Sequence, residues 1–263
     1  MLRSVDLIAC EDTRRSRALL DHYGIDRPLL ALHEHNEDAV SGRLIERVQG
    51  GESVALISDA GTPLINDPGF PLVRLARAAG IRVSPIPGAC ALIAALSASG
   101  LPSPRFCFEG FPPRKQQARR SWFESLRPET RTLIFYESSH RVEETLRDAA
   151  SIFPPERRVV IARELTKRFE TLIMTTLAEV DALFTDHAEM RLGEFVLLIE
   201  GETLTPDKRD ITAEQRHLLS RLMRELSLKS AVSLTCEISG ARREVIYREA
   251  LRLAVADQDT GEV

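Results

Sequence analysis

Cysteine is scarce in this chain and dispersed. Cys10, Cys90, Cys107 and Cys236 lie far apart, with no CxxC pair and no neighbouring histidine at metal spacing. That excludes a disulfide framework and leaves them reading as buried, reduced thiols of a cytosolic protein. Long apolar runs are also missing. The longest, residues 89–98, falls far short of the roughly 20 residues that span a bilayer. The N-terminus carries neither the charged segment nor the long apolar segment of a signal peptide. A cytoplasmic protein with no membrane contact is expected. No sign of charge dominates: 35 Lys and Arg stand against 39 Asp and Glu, a net charge of -4. Any nucleic-acid contact must therefore come from a local patch. Three signatures are absent as well: GxGxxG, GxxxxGK[ST] and GxSxG. Neither a dinucleotide fold, nor a phosphate-binding P-loop, nor a serine elbow is indicated.

What remains is an ordinary globular composition, 43% hydrophobic and 28% charged over 263 residues, enough for one large domain or two modest ones. The organising stretch runs Val54-Ala-Leu-Ile-Ser-Asp-Ala-Gly-Thr-Pro-Leu-Ile-Asn-Asp-Pro-Gly69. Its first four residues form the short apolar run of a buried parallel strand. Ser58, Asp59, Gly61 and Pro63 then stop the strand, and a second turn at residues 66–69 delivers the chain into a helix. In open α/β sheets, ligands bind beyond the carboxyl ends of strands, so a wide, acid-bearing loop there is a candidate cradle.

Around it, strands are expected at residues 5–10, 29–32 and 82–86, with helices at 14–23, 38–49, 70–79 and 90–99. Asp12 or Thr13 caps the first helix and Gly24 ends it. Alternating strands and helices with short connections predict a parallel α/β subdomain over residues 1–100. A second, α+β subdomain with a mixed or antiparallel sheet is expected over 101–201. Its strands lie at 105–109, 132–136, 159–162, 169–175 and 193–200. A basic amphipathic helix at 114–126 turns Trp122 and Phe123 inward. Residues 202–212, polar and bearing Pro206, read as a linker. Three helical runs over 213–256 give a helix–turn–helix-like piece, followed by a disordered tail at 257–263.

Four loops collect at strand ends: residues 58–63, 85–89, 136–141 and 163–167. They would line a cleft between two α/β halves, where small-molecule sites are common. Asp59 and Glu137 offer acceptors there, and Gly61 and Gly88 permit close backbone approach. His33-Glu-His35 invites a metal reading, yet no third ligand is evident by spacing, so no metal is expected.

Several motifs then stand out in order: Leu7-Ile-Ala-Cys-Glu-Asp-Thr-Arg14, Leu32-His-Glu-His-Asn-Glu37, Ser58-Asp-Ala-Gly-Thr-Pro63, Pro87-Gly-Ala89, Phe135-Tyr-Glu-Ser-Ser-His-Arg141 and Arg163-Glu-Leu-Thr-Lys167. Together they resemble the ribosomal RNA small-subunit methyltransferase I group, within the tetrapyrrole methylase fold. The resemblance implies two α/β subdomains with a cofactor cleft between them and a C-terminal helical piece. It implies S-adenosylmethionine-dependent 2′-O-methylation of a cytidine ribose in small-subunit ribosomal RNA, by a homodimer. Carried over by motif, Ser58, Asp59, Ala60, Gly61, Thr62, Pro63, Pro87, Gly88 and Ala89 would hold the cofactor, with Tyr136, Glu137 and Ser138 closing the far side. A ribose hydroxyl is a weak nucleophile, so a proton acceptor is expected too. Glu137, Glu164 and Lys167 are the candidates, the lysine if burial lowers its pKa. Glu164 and Lys167 read equally as a plain ion pair. Substrate contact would fall to Glu11, Asp12, Arg14, His33, His35, Asn36, His140 and Arg141, and to Arg242 and Arg243 among the basic final helices.

Members of the group begin with an extra apolar strand, a Thr-Pro-Ile-Gly-Asn-type loop and a helix, none of which precedes Val5 here. That strand would be interior to the first sheet, and its loop one wall of the cleft. An upstream coding start is expected to restore them. Two alternatives stay open: methylation of a tetrapyrrole ring carbon on the same fold, and a non-catalytic RNA-binding protein.

Overall fold

Strand β1 (Leu7–Cys10) is buried at all four positions and lies at the centre of a parallel sheet. It pairs on one side with β2 (Leu29–Ala31) and on the other with β3 (Val54–Ile57). Burial on both faces requires the continuous apolar run Leu-Ile-Ala-Cys. Leu7 and Ala9 pack with Leu44 of α2 (Glu37–Gln49) and Leu72 of α3 (Phe70–Ala78). Ile8 packs with Leu20 of α1 (Thr13–His22). Asp12 caps α1, its carboxylate accepting from the Arg14 N–H at 2.8 Å. Edge strand β3 is half-buried at every position. These elements belong to a computed structural model that describes residues 1–202 and 211–259.

The strand expected at 82–86 does not form. Pro85 and Pro87 bring no N–H to a ladder, and no strand runs alongside to pair with the segment among the described residues. Ile86 accordingly stays 60% exposed. The chain enters α4 (Ala91–Ser99) directly from this extended stretch.

The second sheet is five-stranded, in the order β4-β5-β8-β6-β7. Its strands are β4 (Phe106–Phe108), β5 (Thr132–Ser138), β6 (Arg158–Arg163), β7 (Thr171–Thr176) and β8 (Glu194–Ile199). β4 runs parallel to β5, and the other pairings are antiparallel, a mixed sheet as expected. Side chains alternate between two cores. Leu133, Phe135, Val159, Ile161, Phe195 and Leu197 face α5 (Gln116–Leu126), α6 (Val142–Ala150) and α7 (Val180–Asp186). Ile134, Val160, Ala162, Val196 and Leu198 face α4. Each large apolar side chain so buried contributes roughly 1.5–3 kcal/mol. Because α4 leaves the first sheet to cover the second, residues 1–201 form one compact unit.

The second unit, described by itself, packs α8 (Ala213–Glu225), α9 (Leu228–Ser239) and α10 (Arg243–Asp259) around Leu219, Ala231, Val232, Ile246 and Ala250. Thr212 and Gln215 form a capping box at the start of α8. Gly240, at φ +66°, ends α9 in the left-handed conformation that favours glycine. Most of the expected linker, residues 203–210, lies outside the described residues, as do residues 260–263 of the expected tail. Residues 257–259 of that tail continue α10 as helix.

An ion pair is buried in the first unit. Arg119, 1% exposed, donates to Asp148 from Nε at 2.7 Å and Nη2 at 2.6 Å. Removing one member of such a pair leaves an uncompensated buried charge. Asp148→Ala is therefore expected to destabilise the chain by about 3–5 kcal/mol in urea unfolding; an unchanged midpoint would refute the role given to the pair.

Candidate active site

The loop after β3, residues 58–69, has an unusual backbone. Gly61, Leu64, Asn66 and Gly69 all take positive φ, at +85°, +70°, +65° and +124°. Left-handed leucine is rare, and such strain persists where surroundings enforce it. Those surroundings are visible. A Cβ on Gly69 would stand 2.6 Å from Leu56 Cδ2, and the Gly69 N–H donates to Glu37 Oε2 at 2.8 Å. Ser58 hydrogen-bonds Asp67 across the base of the loop.

From this loop, contacts run on to the neighbouring strand and helix ends. Asp59 Oδ1 accepts from the Asp12 N–H at 3.3 Å, joining the end of β1. The Thr62 hydroxyl donates to the Ala89 carbonyl at 2.9 Å. The Leu92 N–H, in the first turn of α4, donates to the Tyr136 hydroxyl at 3.2 Å. The Tyr136 N–H donates to the Gly110 carbonyl at 2.9 Å. Gly110 in turn abuts Asn66, whose Oδ1 would lie 3.0 Å from a Cβ placed there. The expected cofactor residues Asp59, Thr62, Ala89 and Tyr136 thus belong to one ring, with Ala60, Gly61, Pro63, Pro87 and Gly88 on its connecting turns.

Glu137 does not join them. β5 extends to Ser138, so Glu137 shares the parity of Leu133 and Phe135 and faces α6, opposite Tyr136. Its carboxylate is 3% exposed and fully occupied. Oε2 accepts from the Thr145 hydroxyl at 2.7 Å and meets Arg141 at 3.2 Å, while Oε1 accepts from the Ser138 N–H at 2.8 Å. Arg141 is likewise engaged, donating to the carbonyls of Pro112 and Pro113 at 2.6 and 3.1 Å. His140 is exposed beside it.

Glu164 and Lys167 form the plain ion pair, at 2.9 Å, with Glu194 as a third member 2.6 Å from Lys167. Hydrogen bonds to Glu194 and Glu164 raise the Lys167 pKa, the reverse of what a neutral lysine base needs. The Lys167 bond and the Glu194 N–H lower the Glu164 pKa, which weakens it as a base. Leu165, between them, packs against the apolar cluster of Tyr136 and α4.

At Glu11, just past the carboxyl end of β1, the electrostatics run the other way. Burial first, then the charges of Asp59 and Asp67, push the Glu11 carboxyl above its ordinary value. Asp12, bound by the Arg14 guanidinium, is held down to about 2. In the next loop the Asn36 side chain accepts from the His33 N–H at 2.8 Å and donates to the Ala31 carbonyl at 3.1 Å, a brace for the turn. The His33 and His35 rings meet edge-on at 6.0 Å. No group of three metal-ligating side chains comes together among the described residues. Arg242 and Arg243 are exposed at the start of α10, in the second unit. A helix N-terminus disfavours cations and favours anions. Sequence reasoning missed Asn66, Asp67, Gly110 and Leu165. The positive-φ pattern of a loop is not legible from leucine and asparagine, whereas strand parity could have separated Tyr136 from Glu137.

Comparison with known proteins places this geometry in a wider setting. Residues 1–181 match the family model of Tetrapyrrole (Corrin/Porphyrin) Methylases, and residues 209–254 match the RsmI C-terminal HTH domain. The chain is 53% identical over 252 residues to a ribosomal RNA small subunit methyltransferase I of Pseudomonas aeruginosa, covering 96% of this chain and 89% of that one. It is 55% identical over 247 residues to the protein of that name from Xylella fastidiosa, covering 94% and 90%. Among solved structures, a diphthine synthase is similar in fold, with a TM-score of 0.55 at 18% identity over 77% of this chain and 82% of that one. A uroporphyrin-III-C-methyltransferase from Thermus thermophilus gives 0.51 at 20% identity over 76% and 84%.

The Glu164–Lys167 pair makes a prediction about pH. A carboxyl whose folded pKa lies below its ordinary 4.5 stabilises the chain above that pH, and the contribution fades as pH falls through the lowered value. The stability gap between the chain and its Glu164→Gln variant is expected to narrow on acidification from about pH 7 into the range below about 4.5. A gap that stays constant in urea unfolding across that range would reject the linkage.

Proposed function

This chain belongs to the tetrapyrrole methylase family, and from that premise we propose that it is a small-subunit ribosomal RNA methyltransferase. It uses S-adenosylmethionine to methylate a cytidine ribose at its 2′-hydroxyl. The observation that carries the reading is near-full-length likeness to relatives so named. The ring of loops supports it, because its chemistry suits the cofactor. Small residues at 60–61 and 88–89 let a ligand approach the backbone. The carboxylates of Glu11, Asp59 and Asp67 give the cleft a negative field suited to a cation. When bound, the cofactor supplies an electrophilic methyl on a positively charged sulfur. Asp59, Gly61, Thr62, Ala89 and Tyr136 would hold it there.

The remaining work of the chain is to orient the ribose and take up its proton. Glu11 is suited to the second task. Burial and its acidic neighbours raise its pKa, so its carboxylate is a stronger base than an ordinary one. Glu137, Glu164 and Lys167 serve instead as braces. Arg242 and Arg243 meet RNA phosphates, and the chain works in the cytoplasm. A homodimer is supported by Phe169, 61% exposed, just before edge strand β7, and by Leu172 and Met174, 40% and 47% exposed on it.

Methyl transfer from labelled cofactor to purified small ribosomal subunits is expected, with none to a porphyrinoid control. Label on the porphyrinoid alone, or no uptake of the cofactor in calorimetry, would overturn the proposal. Glu11→Gln is expected to lower kcat by about 100-fold or more while leaving cofactor affinity nearly intact. The parent rate should rise with pH as Glu11 ionises, and the variant should lose that rise. Small, equal losses in kcat and affinity would remove Glu11 as the proton acceptor.

A further inference from the structure

The turn at residues 110–115, Gly-Phe-Pro-Pro-Arg-Lys, adjoins Tyr136 and Asn66 of the ring of loops without belonging to either sheet. Its backbone is fixed from beneath. Besides the Tyr136 bond to Gly110, Arg141 holds the carbonyls of Pro112 and Pro113, and the buried Arg119 donates to those of Pro113 and Arg114 at 3.4 and 3.3 Å. Two consecutive prolines remove further freedom. Two guanidinium groups, themselves anchored by the carboxylates of Asp148 and Glu137, thus each direct one nitrogen at this short turn.

That turn presents a particular combination. Phe111 is 48% exposed, with its ring 5.8 Å from that of Tyr136. Arg114 and Lys115 follow, both exposed, and neither pairs with an acidic side chain among the described residues. A lone exposed apolar residue is unremarkable on a protein surface. A firmly held aromatic followed by two unpaired cations, beside the ring of loops, is the chemistry that stacks an unpaired base and neutralises its phosphates.

We infer that residues 110–115 are an RNA-contacting wedge. Phe111 stacks on an unpaired base next to the target ribose, and Arg114 and Lys115 take the adjoining phosphates. Arg119 and Arg141 act through the turn as positioning residues. The inference rests on the RNA-methylation reading above and adds the element that grips the substrate.

The test uses the full chain, purified small ribosomal subunits and naked small-subunit RNA. Phe111→Ala is expected to raise KM for the RNA substrate roughly 5- to 150-fold, with cofactor affinity in calorimetry unchanged. Phe111→Trp should restore most of the loss. The double variant Arg114→Ala, Lys115→Ala should reduce the slope of log K against log salt by about 1.4, at roughly 0.7 per single-strand phosphate. An active parent whose Phe111→Ala and double variants keep the parental KM and salt slope would overturn the wedge while sparing the methylation reading. Failure of tryptophan to rescue would overturn stacking. A parent that neither binds nor methylates RNA would overturn both.

Discussion

The left-handed course of residues 58–69 is the constraint on which the site depends. A leucine and an asparagine at positive φ each cost energy that a relaxed loop would not incur. The loop keeps this form because Glu37 grips Gly69, Ser58 grips Asp67, and Leu56 leaves no room for a side chain at Gly69. Its outer side then reaches three separate elements: the end of β1 through Asp59, the entry to α4 through Thr62, and the turn after β4 through Asn66. A flatter loop would satisfy its own backbone and lose all three contacts.

The second sheet contributes by division of labour between its faces. β5 carries Tyr136 toward α4 and the ring of loops, and Glu137 toward α6 and the core. Adjacent residues of one motif therefore do different work. The tyrosine hydroxyl satisfies an N–H at the first turn of α4, a group a helix cannot satisfy by itself. The glutamate fixes Arg141, and Arg141 fixes the proline turn. Buried polar groups of this kind specify position, because each must find its partner or pay for desolvation.

Much of this was legible in the sequence. The apolar runs of β1, β3, β5, β6 and β8 and the helical spacings of α1 to α6 mark their elements, because burial dictates periodicity. The motifs are recognisable in order, and Asp59, Thr62, Ala89 and Tyr136 lie on one linked ring of loops. What could not be read was long-range. Val83 and Ile86 look like strand residues, yet a strand needs a neighbour and two prolines withhold donors. Glu137 looked accessible because the strand was expected to end at residue 136, whereas it runs on to Ser138. Lys167 looked like a tunable base, but Glu194, 27 residues further on, decides its charge.

The two walls of the cleft differ in how firmly they are anchored. Tyr136 sits on a strand with paired neighbours on both sides and cores on both faces, so releasing it demands disruption of the whole second sheet. The opposing loop leaves β3, a four-residue strand half-buried at every position, and is held instead by side-chain bonds from Glu37 to Gly69 and from Ser58 to Asp67. One side of the site is therefore fixed by a ladder and two cores, the other by a few polar contacts.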